Sequence, residues 1–510
     1  MNGAARAACV AAVAAALGAC GRGEQAAAPT AAEGKSVVLM PVAADPTVSF
    51  SVSFAVGSQD DPPGKEGLAF LTAEMLADAA TKKRSLDEIL EALYPLASGY
   101  DVRVDRERTT LTGRTHRDNV DKFFELYSDA FLRPAFTATD FERVKNDAIN
   151  DLEKTLRYSS DEELAKAALE ELVFRGTPYA HPSEGTVQGL RSITLDDVRD
   201  FYGKHFTVAS ALPALGGGYE DAAVARLAAA VRELPRGAPA APPAIAPAPI
   251  TGRDVLLIAK PGADASISFG FPLDVHRGER DFYALWIANS WLGEHRSQSS
   301  HLFQVIRERR GLNYGDYSYL EAFPEGGERT MPPVNVPRRE QLFAIWIRTL
   351  PNDKAVFALR AALRELAPLV DHGLTREQFE LTRGFLKKYS LHFAETTSAR
   401  LGYAVDDRFY GIEGEGHLAR FRKMMDELTL DDVNAAIKRH LQYANLKIAI
   451  VTGDADGLRA ALVSGAPTPI SYDNPKPAAI TDEDKEIAAF PLGIEAERVT
   501  IVPVDEAFER

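Results

Sequence analysis

Alternation of apolar and small polar residues marks the first regular segment of the chain. Residues 48–56 read Val-Ser-Phe-Ser-Val-Ser-Phe-Ala-Val, a period of two that is typical of a half-buried strand. A loop rich in Pro, Gly and Asp follows at 57–64, and a helical pattern runs from 67 to about 80. A strand pair is predicted at 254–259 and 265–271. Further helices are predicted near 85–97, 117–131, 138–157, 161–173, 195–204, 279–293, 299–310, 353–371, 375–391 and 430–441.

The two halves of the chain share motifs in the same order. Thr194-Leu-Asp-Asp-Val198 reappears as Thr429-Leu-Asp-Asp-Val433, and in both places the threonine is suited to cap a helix. The near-equal spacing of the matches indicates an internal duplication of roughly 235 residues. Two copies are too few for a solenoid, so the pattern predicts two similar α+β lobes. The other matching pairs are His205 with His440, Phe174-Arg-Gly176 with Phe409-Tyr-Gly411, and Phe141-Glu142 with Phe379-Glu380.

Proline placement suggests where the lobes divide. Residues 235–252 contain prolines spaced among alanines, a composition that forms neither a regular helix nor a central strand. We interpret this segment as an extended linker between an N-terminal lobe at 37–234 and a C-terminal lobe at 253–465. Residues 466–510 are a Pro- and Asp-rich tail without a strong pattern. Gly216-Gly-Gly218 is interpreted as a loop without phosphate-binding context.

The N-terminus predicts secretion and lipidation. Arg6 precedes an apolar run at 7–17, which is too short for a retained membrane helix. Leu-Gly-Ala-Cys20 then resembles a bacterial lipobox. We expect residues 1–19 to be a signal peptide, Cys20 to carry lipid, and residues 20–36 to be a flexible tether. Gly21 favours the outer membrane, with the protein facing the periplasm. The alternative is an ordinary signal peptide with a chance cysteine.

Composition narrows the function further. A chain of 510 residues is long enough for two to four domains. Its formal net charge is -15 and no Lys/Arg-rich run occurs, which argues against a nucleic-acid partner. Because Cys9 and Cys20 are the two cysteines of the chain, no disulfide can stabilise the folded body.

Three motifs together resemble the pitrilysin/insulinase family of zinc peptidases. They are Gly57-Ser-Gln-Asp-Asp-Pro-Pro-Gly-Lys-Glu-Gly-Leu-Ala69, Gly176-Thr-Pro-Tyr-Ala-His-Pro182 and Arg307-Glu-Arg-Arg-Gly-Leu-Asn-Tyr314. The resemblance extends through both halves. It implies two homologous α+β lobes, each an antiparallel sheet flanked by helices, arranged as a clamshell around a cavity.

The resemblance also reveals a loss. In active members, Gly-Leu-Ala is followed by His-x-x-Glu-His, whose histidines bind zinc and whose glutamate activates the metal-bound water. Here those positions are Phe70, Ala73 and Glu74, and the distal ligand position falls near Asp151. Two carboxylates without an imidazole make a poor zinc site. We therefore expect no metal in this chain, and the remaining histidines lack ligand spacing.

The second half keeps what the first half lacks. In active relatives, an arginine and a tyrosine equivalent to Arg307 and Tyr314 contact the substrate backbone near the scissile carbonyl, where hydrogen-bond donors stabilise developing negative charge. The resemblance thus implies a non-zinc subunit that is not a peptidase alone. Its partner would be a zinc-bearing homologue, and the pair would enclose short, unfolded peptides.

Two other functions fit the same sequence. The chain could be a catalytically inactive envelope scaffold, as family relatives in the respiratory chain are. It could also be a lipoprotein that binds peptides without cutting them. An independently active metallopeptidase is disfavoured, because both imidazoles and the general base are missing.

Overall fold

The computed structural model describes residues 37–238 and 241–510. The predicted signal peptide at 1–19, the tether at 20–36 and the lipidation site Cys20 lie outside the described residues. Within the described ranges, no helix combines the length and apolar composition needed to cross a membrane.

The first lobe is built on a sheet of five strands. Their order across the sheet is β1-β5-β2-β4-β3. The strong alternation at 48–56 produces the central strand β2, whose Phe50 and Phe54 are buried in the helix-covered core of this lobe. The strands are β1 (Val38–Pro41), β2 (Thr47–Phe54), β3 (Gly99–Val104), β4 (Thr109–His116) and β5 (Ala211–Gly217).

The second lobe repeats this arrangement and adds one strand. Its order is β11-β6-β10-β7-β9-β8, so β6 to β10 take the places that β1 to β5 take in the first lobe, and β11 is the addition. The strands are β6 (Arg253–Ala259), β7 (Ala265–Leu273), β8 (Asp316–Tyr319), β9 (Gln341–Leu350), β10 (Leu446–Thr452) and β11 (Val499–Pro503).

Helices cover both sheets. Those between β2 and β3, β4 and β5, and after β5 belong to the first half of the chain: α1 (Leu68–Ala77), α2 (Leu86–Leu93), α3 (Val120–Leu132), α4 (Ala138–Asn150), α5 (Asp161–Phe174), α6 (Val187–Ser192), α7 (Leu195–His205) and α8 (Asp221–Glu233). Those of the second half are α9 (Arg280–Gly293), α10 (Ala355–His372), α11 (Arg376–Tyr389), α12 (Thr397–Phe409), α13 (Gly416–Glu427), α14 (Leu430–His440), α15 (Ala455–Ser464) and α16 (Ala478–Ala489).

The repeated Thr-Leu-Asp-Asp motif begins a helix in both lobes. Thr194 caps α7 and Thr429 caps α14, each accepting a hydrogen bond from the backbone N–H three residues on, while the aspartate there bonds back to the threonine N–H. Such a capping box satisfies donors that a helix start leaves free, and each cap is worth about 1 kcal/mol. The internal duplication inferred from these motifs is therefore visible in the fold.

The sheets are mixed, which the sequence did not predict. The pairs β2–β4, β2–β5 and β3–β4 are antiparallel, as are their counterparts in the second lobe. In contrast, β1 runs parallel to β5, and β6 runs parallel to both β10 and β11. Long helical connections separate these strands along the chain, and such crossovers permit parallel pairing. The two-lobed α+β architecture itself is confirmed.

One helix from each half of the chain packs on the sheet of the other lobe. Helix α5 packs on β7, β9 and β10 of the second lobe, where Leu164, Leu169, Ile258 and Val451 form one apolar cluster. Helix α12 lies on β1, β2 and β5 of the first lobe. Burial of each such aliphatic side chain contributes about 1.5–3 kcal/mol. The lobes thus belong to one compact unit.

A buried ion cluster adds polar contacts between the lobes. Arg338, from the segment before β9, donates to both oxygens of Asp105 at 2.8 and 2.7 Å and to Glu170 of α5 at 3.2 Å. Arg106 donates to the same Glu170 oxygen at 2.8 Å. Burial would raise the pKa of Glu170, but Arg338 and Arg106 outweigh it and lower the pKa to about 2. Glu170 is thus ionised at neutral pH.

The segment after residue 465 is an ordered part of the fold, unlike the patternless tail expected from sequence. Residues 478–489 form α16, which packs on α10. Val499–Pro503 add β11 to the second sheet. The alternation in β11 is too short to stand out in the sequence, and its strand character depends on pairing with β6. The described residues of the predicted linker, 235–238 and 241–252, form neither helix nor strand.

Candidate functional site

Helix α1 carries the positions at which active relatives bind zinc. Its start needs a glycine, because Gly67 has φ +106° and a Cβ there would lie 2.6 Å from the backbone oxygen of Glu184. Asp61 caps the helix from the preceding loop and accepts from the N–H groups of Gly67 and Ala69, both at 2.7 Å. The loop at 57–66 therefore holds α1 in place, a role that the sequence alone did not assign to Asp61.

The degenerate zinc-motif positions share one face of α1. Phe70 is partly buried against the core of the first lobe, and Ala73 is fully buried. Neither side chain carries an atom that could bind a metal ion or accept a proton. Glu74, one turn from Phe70, is half-buried. This face of the helix thus offers one carboxyl group where active relatives offer two imidazoles and a carboxylate.

Glu74 faces other carboxyl groups. Burial raises its pKa to about 8, with further contributions from Asp101, Asp78, Asp151 and Glu184. Asp151 is exposed at the first position of a π-helical segment, Asp151–Ser159, so the structure does bring the distal-ligand position near Glu74. At neutral pH the Glu74 side chain is therefore predominantly a neutral acid.

Metal-ligating groups are also sparse around this face. Among residues 37–238 and 241–510, no group of three or more His, Cys, Asp or Glu side chains has the geometry to hold a metal ion. The His181 ring donates from Nδ1 to the Pro182 carbonyl oxygen at 2.8 Å, and burial lowers its pKa to about 4. The residues present fit a zinc ion poorly, because the donors are carboxyl groups and one of them is protonated.

Replacing Glu74 by Gln is expected to change how stability depends on pH. Because the pKa of Glu74 is raised to about 8 from its usual 4.5, its stabilising effect is complete below about pH 4.5 and is lost as the pH rises towards 8. Glu74→Gln should therefore exceed the wild type in unfolding free energy by roughly 4–5 kcal/mol near pH 8.5, and by less than about 0.5 kcal/mol near pH 4.5. Urea unfolding at both pH values measures this difference.

The matched control is Asp151→Asn, which alters an exposed carboxyl group of the same cluster. It should change stability by less than about 0.5 kcal/mol at either pH. A difference between Glu74→Gln and the wild type that stays constant with pH would show that Glu74 is ionised in the folded protein.

The predicted substrate-binding pair lies in the second lobe. Arg307 belongs to a second π-helical segment, Phe303–Glu308, a geometry often found at functional positions. Its guanidinium is 38% exposed and contacts the neighbouring Glu308 at 3.4 Å. Tyr314 follows in a turn and is 76% exposed. Among the described residues, no hydrogen bond or ion pair joins Arg307 or Tyr314 to the degenerate zinc positions on α1.

The turn that presents Tyr314 is firmly anchored. The Asn313 amide nitrogen donates to Asp316 at 2.8 Å and to the Arg348 oxygen at 3.1 Å. Gly315 has φ +157°, and a Cβ there would lie 2.2 Å from the Tyr317 hydroxyl oxygen. These contacts hold the backbone on both sides of Tyr314, so its ring projects outward from a fixed base.

Arg310 stabilises the same turn through contacts with α16. Its side chain is fully buried and donates to Asp484 at 2.8 Å and to Glu483 at 2.7 Å, both on α16. Arg310 was not predicted as a site residue, although its position within the Arg307–Tyr314 motif was a signal. The C-terminal segment therefore supports the predicted substrate-binding turn.

The fold and these two surfaces define a member of the insulinase class with a degenerate zinc motif. The family described as Insulinase (Peptidase family M16) matches residues 37–187, and the family described as Peptidase M16 inactive domain matches residues 192–385. The chain belongs to the insulinase family, peptidase family M16. The two matches meet at α6, inside the first lobe, and not at the linker between the lobes.

The curated relatives include proteins named as zinc proteases and one named as a non-peptidase homolog. The chain is 25% identical over 360 residues to an uncharacterized zinc protease of Streptomyces coelicolor, covering 69% of this chain and 74% of that protein. It is 24% identical over 408 residues to the non-peptidase homolog YmxG of Helicobacter pylori, covering 79% and 88%. These similarities support the family without deciding between the two names.

Solved structures share the fold over most of its length. A peptidase M16 inactive domain from Pseudomonas fluorescens aligns with a TM-score of 0.71 at 23% identity, covering 82% of this chain and 96% of that chain. A protease from Helicobacter pylori aligns with a TM-score of 0.69 at 16% identity, covering 82% and 99%. A chain of complex III2 from Candida albicans aligns with a TM-score of 0.65 at 16% identity, covering 89% and 99%.

Proposed function

We propose that this chain is the non-zinc subunit of a two-chain peptidase. In this proposal a zinc-bearing homologue supplies the metal and the general base. This chain completes the chamber and contributes Arg307 and Tyr314 to the binding of short, unfolded peptides. The observation that carries the proposal is the exposure of Tyr314, a large aromatic side chain held outward on an anchored turn.

An exposed tyrosine on a rigid base is suited to meet another molecule. Its phenol O–H and the Arg307 guanidinium are hydrogen-bond donors that can stabilise an oxygen gaining negative charge. Within this chain the zinc-motif helix offers Phe70 and Ala73 in place of ligand and base, so a scissile bond held there would meet no activated water. Chemistry on a bound peptide therefore requires a second chain.

The packing of the lobes supports the same requirement. Because α5 and α12 tie the two lobes together, we place the peptide chamber between this chain and its partner. We further propose that Cys20 carries lipid and anchors the complex to the outer membrane, facing the periplasm. This part of the proposal rests on the lipobox-like Leu-Gly-Ala-Cys20 sequence.

The direct test is reconstitution with a zinc-bearing homologue from the same bacterium. The two chains are produced together, separated by size-exclusion chromatography and assayed on unstructured peptides, with zinc measured in each fraction. We expect one complex, one zinc per pair, and cleavage that needs both chains. A homologue whose motif glutamate is replaced by Gln serves as the inactive control. Failure to co-elute, or full activity of the homologue alone, would contradict the proposal.

A scaffold function is the second candidate. It is favoured by the shared fold with a chain of complex III2 and by the relative named as a non-peptidase homolog. In that case, envelope proteins without the His-x-x-Glu-His motif would co-purify with the chain, and no fraction would cleave peptides. A protein that binds peptides without cutting them would retain them in the same assay, and Tyr314→Ala would release them.

A further inference from the structure

The two sheets differ at one edge. In the second lobe, β11 lies outside β6 and runs parallel to it, with Val499 opposite Val255. The counterpart of β6 in the first lobe is β1, which pairs with β5 on its inner side. Among residues 37–238 and 241–510, no strand covers the outer side of β1. A free strand edge presents backbone N–H and C=O groups that readily pair with another strand.

The segment at the outer edge of β6 shows which interactions hold a chain at such a position. After β11 the chain continues across α5 and α6, where Phe508 is buried and its oxygen accepts from the Val187 N–H at 3.0 Å. Arg157 donates to the Ala507 oxygen at 2.9 Å and to the Glu509 carboxylate at 3.0 Å. Strand pairing, an aromatic side chain and a carboxylate–arginine contact together hold this segment.

A groove of about 620 Å³ lies beside the free edge of β1. It runs along α12 and α13, the counterparts of α5 and α6 in the duplicated order. Its apolar lining includes Met40, Leu391, Ala404 and Leu418. Leu391 is 61% exposed, and Leu39 on the β1 edge is 48% exposed. The groove therefore repeats the geometry that the C-terminal segment occupies in the other lobe.

Charged side chains of both signs line the groove: two arginines and three acids, of which Glu415 makes no side-chain hydrogen bond or ion pair in the part of the chain that the structure describes. Arg422 makes no hydrogen bond or ion pair within the described ranges, and Arg400 donates to the Glu395 backbone oxygen at 3.2 Å. The acidic side chains at the same groove are Glu395, Asp407 and Glu415. Of these, Glu395 bonds to His392 at 2.6 Å and Asp407 accepts from the His417 N–H at 3.0 Å. The arginines are therefore free to meet carboxylates of an incoming segment.

The chain's own leader is a poor occupant for this edge. Residues 21–36 contain one β-branched residue, Thr30, whereas β11 reads Val-Thr-Ile-Val-Pro. The leader also runs directly into β1, and a strand parallel to its neighbour needs a connection of a dozen or more residues. These properties favour a strand from another polypeptide.

We propose that the outer edge of β1 and its groove bind an extended segment of a partner polypeptide by strand addition. The segment runs parallel to β1, is rich in β-branched residues, and carries carboxylates that meet Arg400 and Arg422. Backbone pairing provides affinity, and the apolar groove selects the side chains. This site is separate from the Arg307–Tyr314 turn and does not depend on the proposed peptidase function.

A synthetic peptide with the sequence of residues 497–510 tests the proposal on the lipid-free chain from residue 20. We expect it to bind with micromolar affinity and to slow hydrogen exchange of the backbone amides of Val38, Leu39 and Met40. Arg400→Glu combined with Arg422→Glu should weaken binding at least tenfold. Both arginines are exposed, so the double variant should melt as the wild type does. Lys423→Glu, on the same helix, is the matched control and should bind normally.

Three results would overturn the inference. The first is no slowing of amide exchange at 38–40 with the peptide present. The second is slowing that the double variant leaves unchanged, because the groove arginines then take no part. The third is protection of the amides at 38–40 without peptide that disappears when residues 21–36 are deleted, because the leader then covers the edge.

Discussion

Tyr314→Phe and Arg307→Ala are each expected to lower kcat of the reconstituted two-chain peptidase by on the order of 100-fold. Each substitution removes a hydrogen-bond donor that we place at the oxygen gaining charge in the transition state. A loss confined to the transition state lowers kcat and kcat/KM together and leaves KM nearly unchanged. Steady-state cleavage of one fluorogenic peptide by the purified complex measures both constants.

Folding effects can be separated from this result. Tyr314 is 76% exposed, and the Arg307 side chain is 38% exposed, so neither substitution should change stability by more than about 0.5 kcal/mol. Tyr94→Phe is the matched control for the tyrosine, since Tyr94 is 88% exposed in the other lobe. Arg309→Ala, two residues from Arg307, is the control for charge. Full activity of both test variants would remove this turn from the proposed mechanism.

Arg338→Ala is expected to destabilise the folded chain by about 3–5 kcal/mol. The substitution leaves Asp105 buried without its two-bond partner, and Glu170 retains Arg106 alone. A buried carboxylate without a partner costs far more folding free energy than an exposed ion pair contributes. Denaturant unfolding at neutral pH, followed by circular dichroism, measures the loss.

In Arg338→Ala, the unfolding free energy should also lose the pH dependence that Glu170 contributes. Because the pKa of Glu170 is lowered to about 2 from its usual 4.5, its stabilising effect is present above about pH 4.5 and is lost as the pH falls towards 2. The difference in unfolding free energy between the wild type and Arg338→Ala should therefore become smaller as the pH falls. Arg103→Ala, which breaks the exposed contact with Glu325 at 2.9 Å, should cost less than about 1 kcal/mol. Equal effects of the two variants would refute the structural role of the cluster.

Local patterns in the sequence were sufficient for much of the fold. The alternation around Phe50 predicted β2, and the paired Thr-Leu-Asp-Asp motifs located the starts of α7 and α14. These features depend on neighbours in the chain, so they can be read without knowing the fold. The same holds for the loss of the zinc motif, since Phe70 and Ala73 lack donor atoms in any conformation.

Features set by distant neighbours were missed. Gly216 and Gly217 were interpreted as a loop but lie in β5, where a Cβ on Gly217 would stand 2.1 Å from the Thr47 oxygen. A proline is rare in a central strand, yet β5 contains Pro213. It is tolerated because β1 begins opposite Ala214, so Pro213 lies just past the end of that neighbour. The support of the Tyr314 turn by α16 was likewise hidden, because Arg310 and Asp484 are far apart in sequence.

The exchanged helices suggest how this architecture arose. A chain containing one lobe alone would carry α5 with an apolar face that fits no surface of its own, and a sheet with one face bare to water. A second copy would solve both problems at once, since each copy would cover the other's sheet. The present chain therefore has the form of an ancestral symmetric dimer whose two subunits were joined end to end. After such a fusion the halves no longer had to stay alike, and each could lose the functions that the other retained.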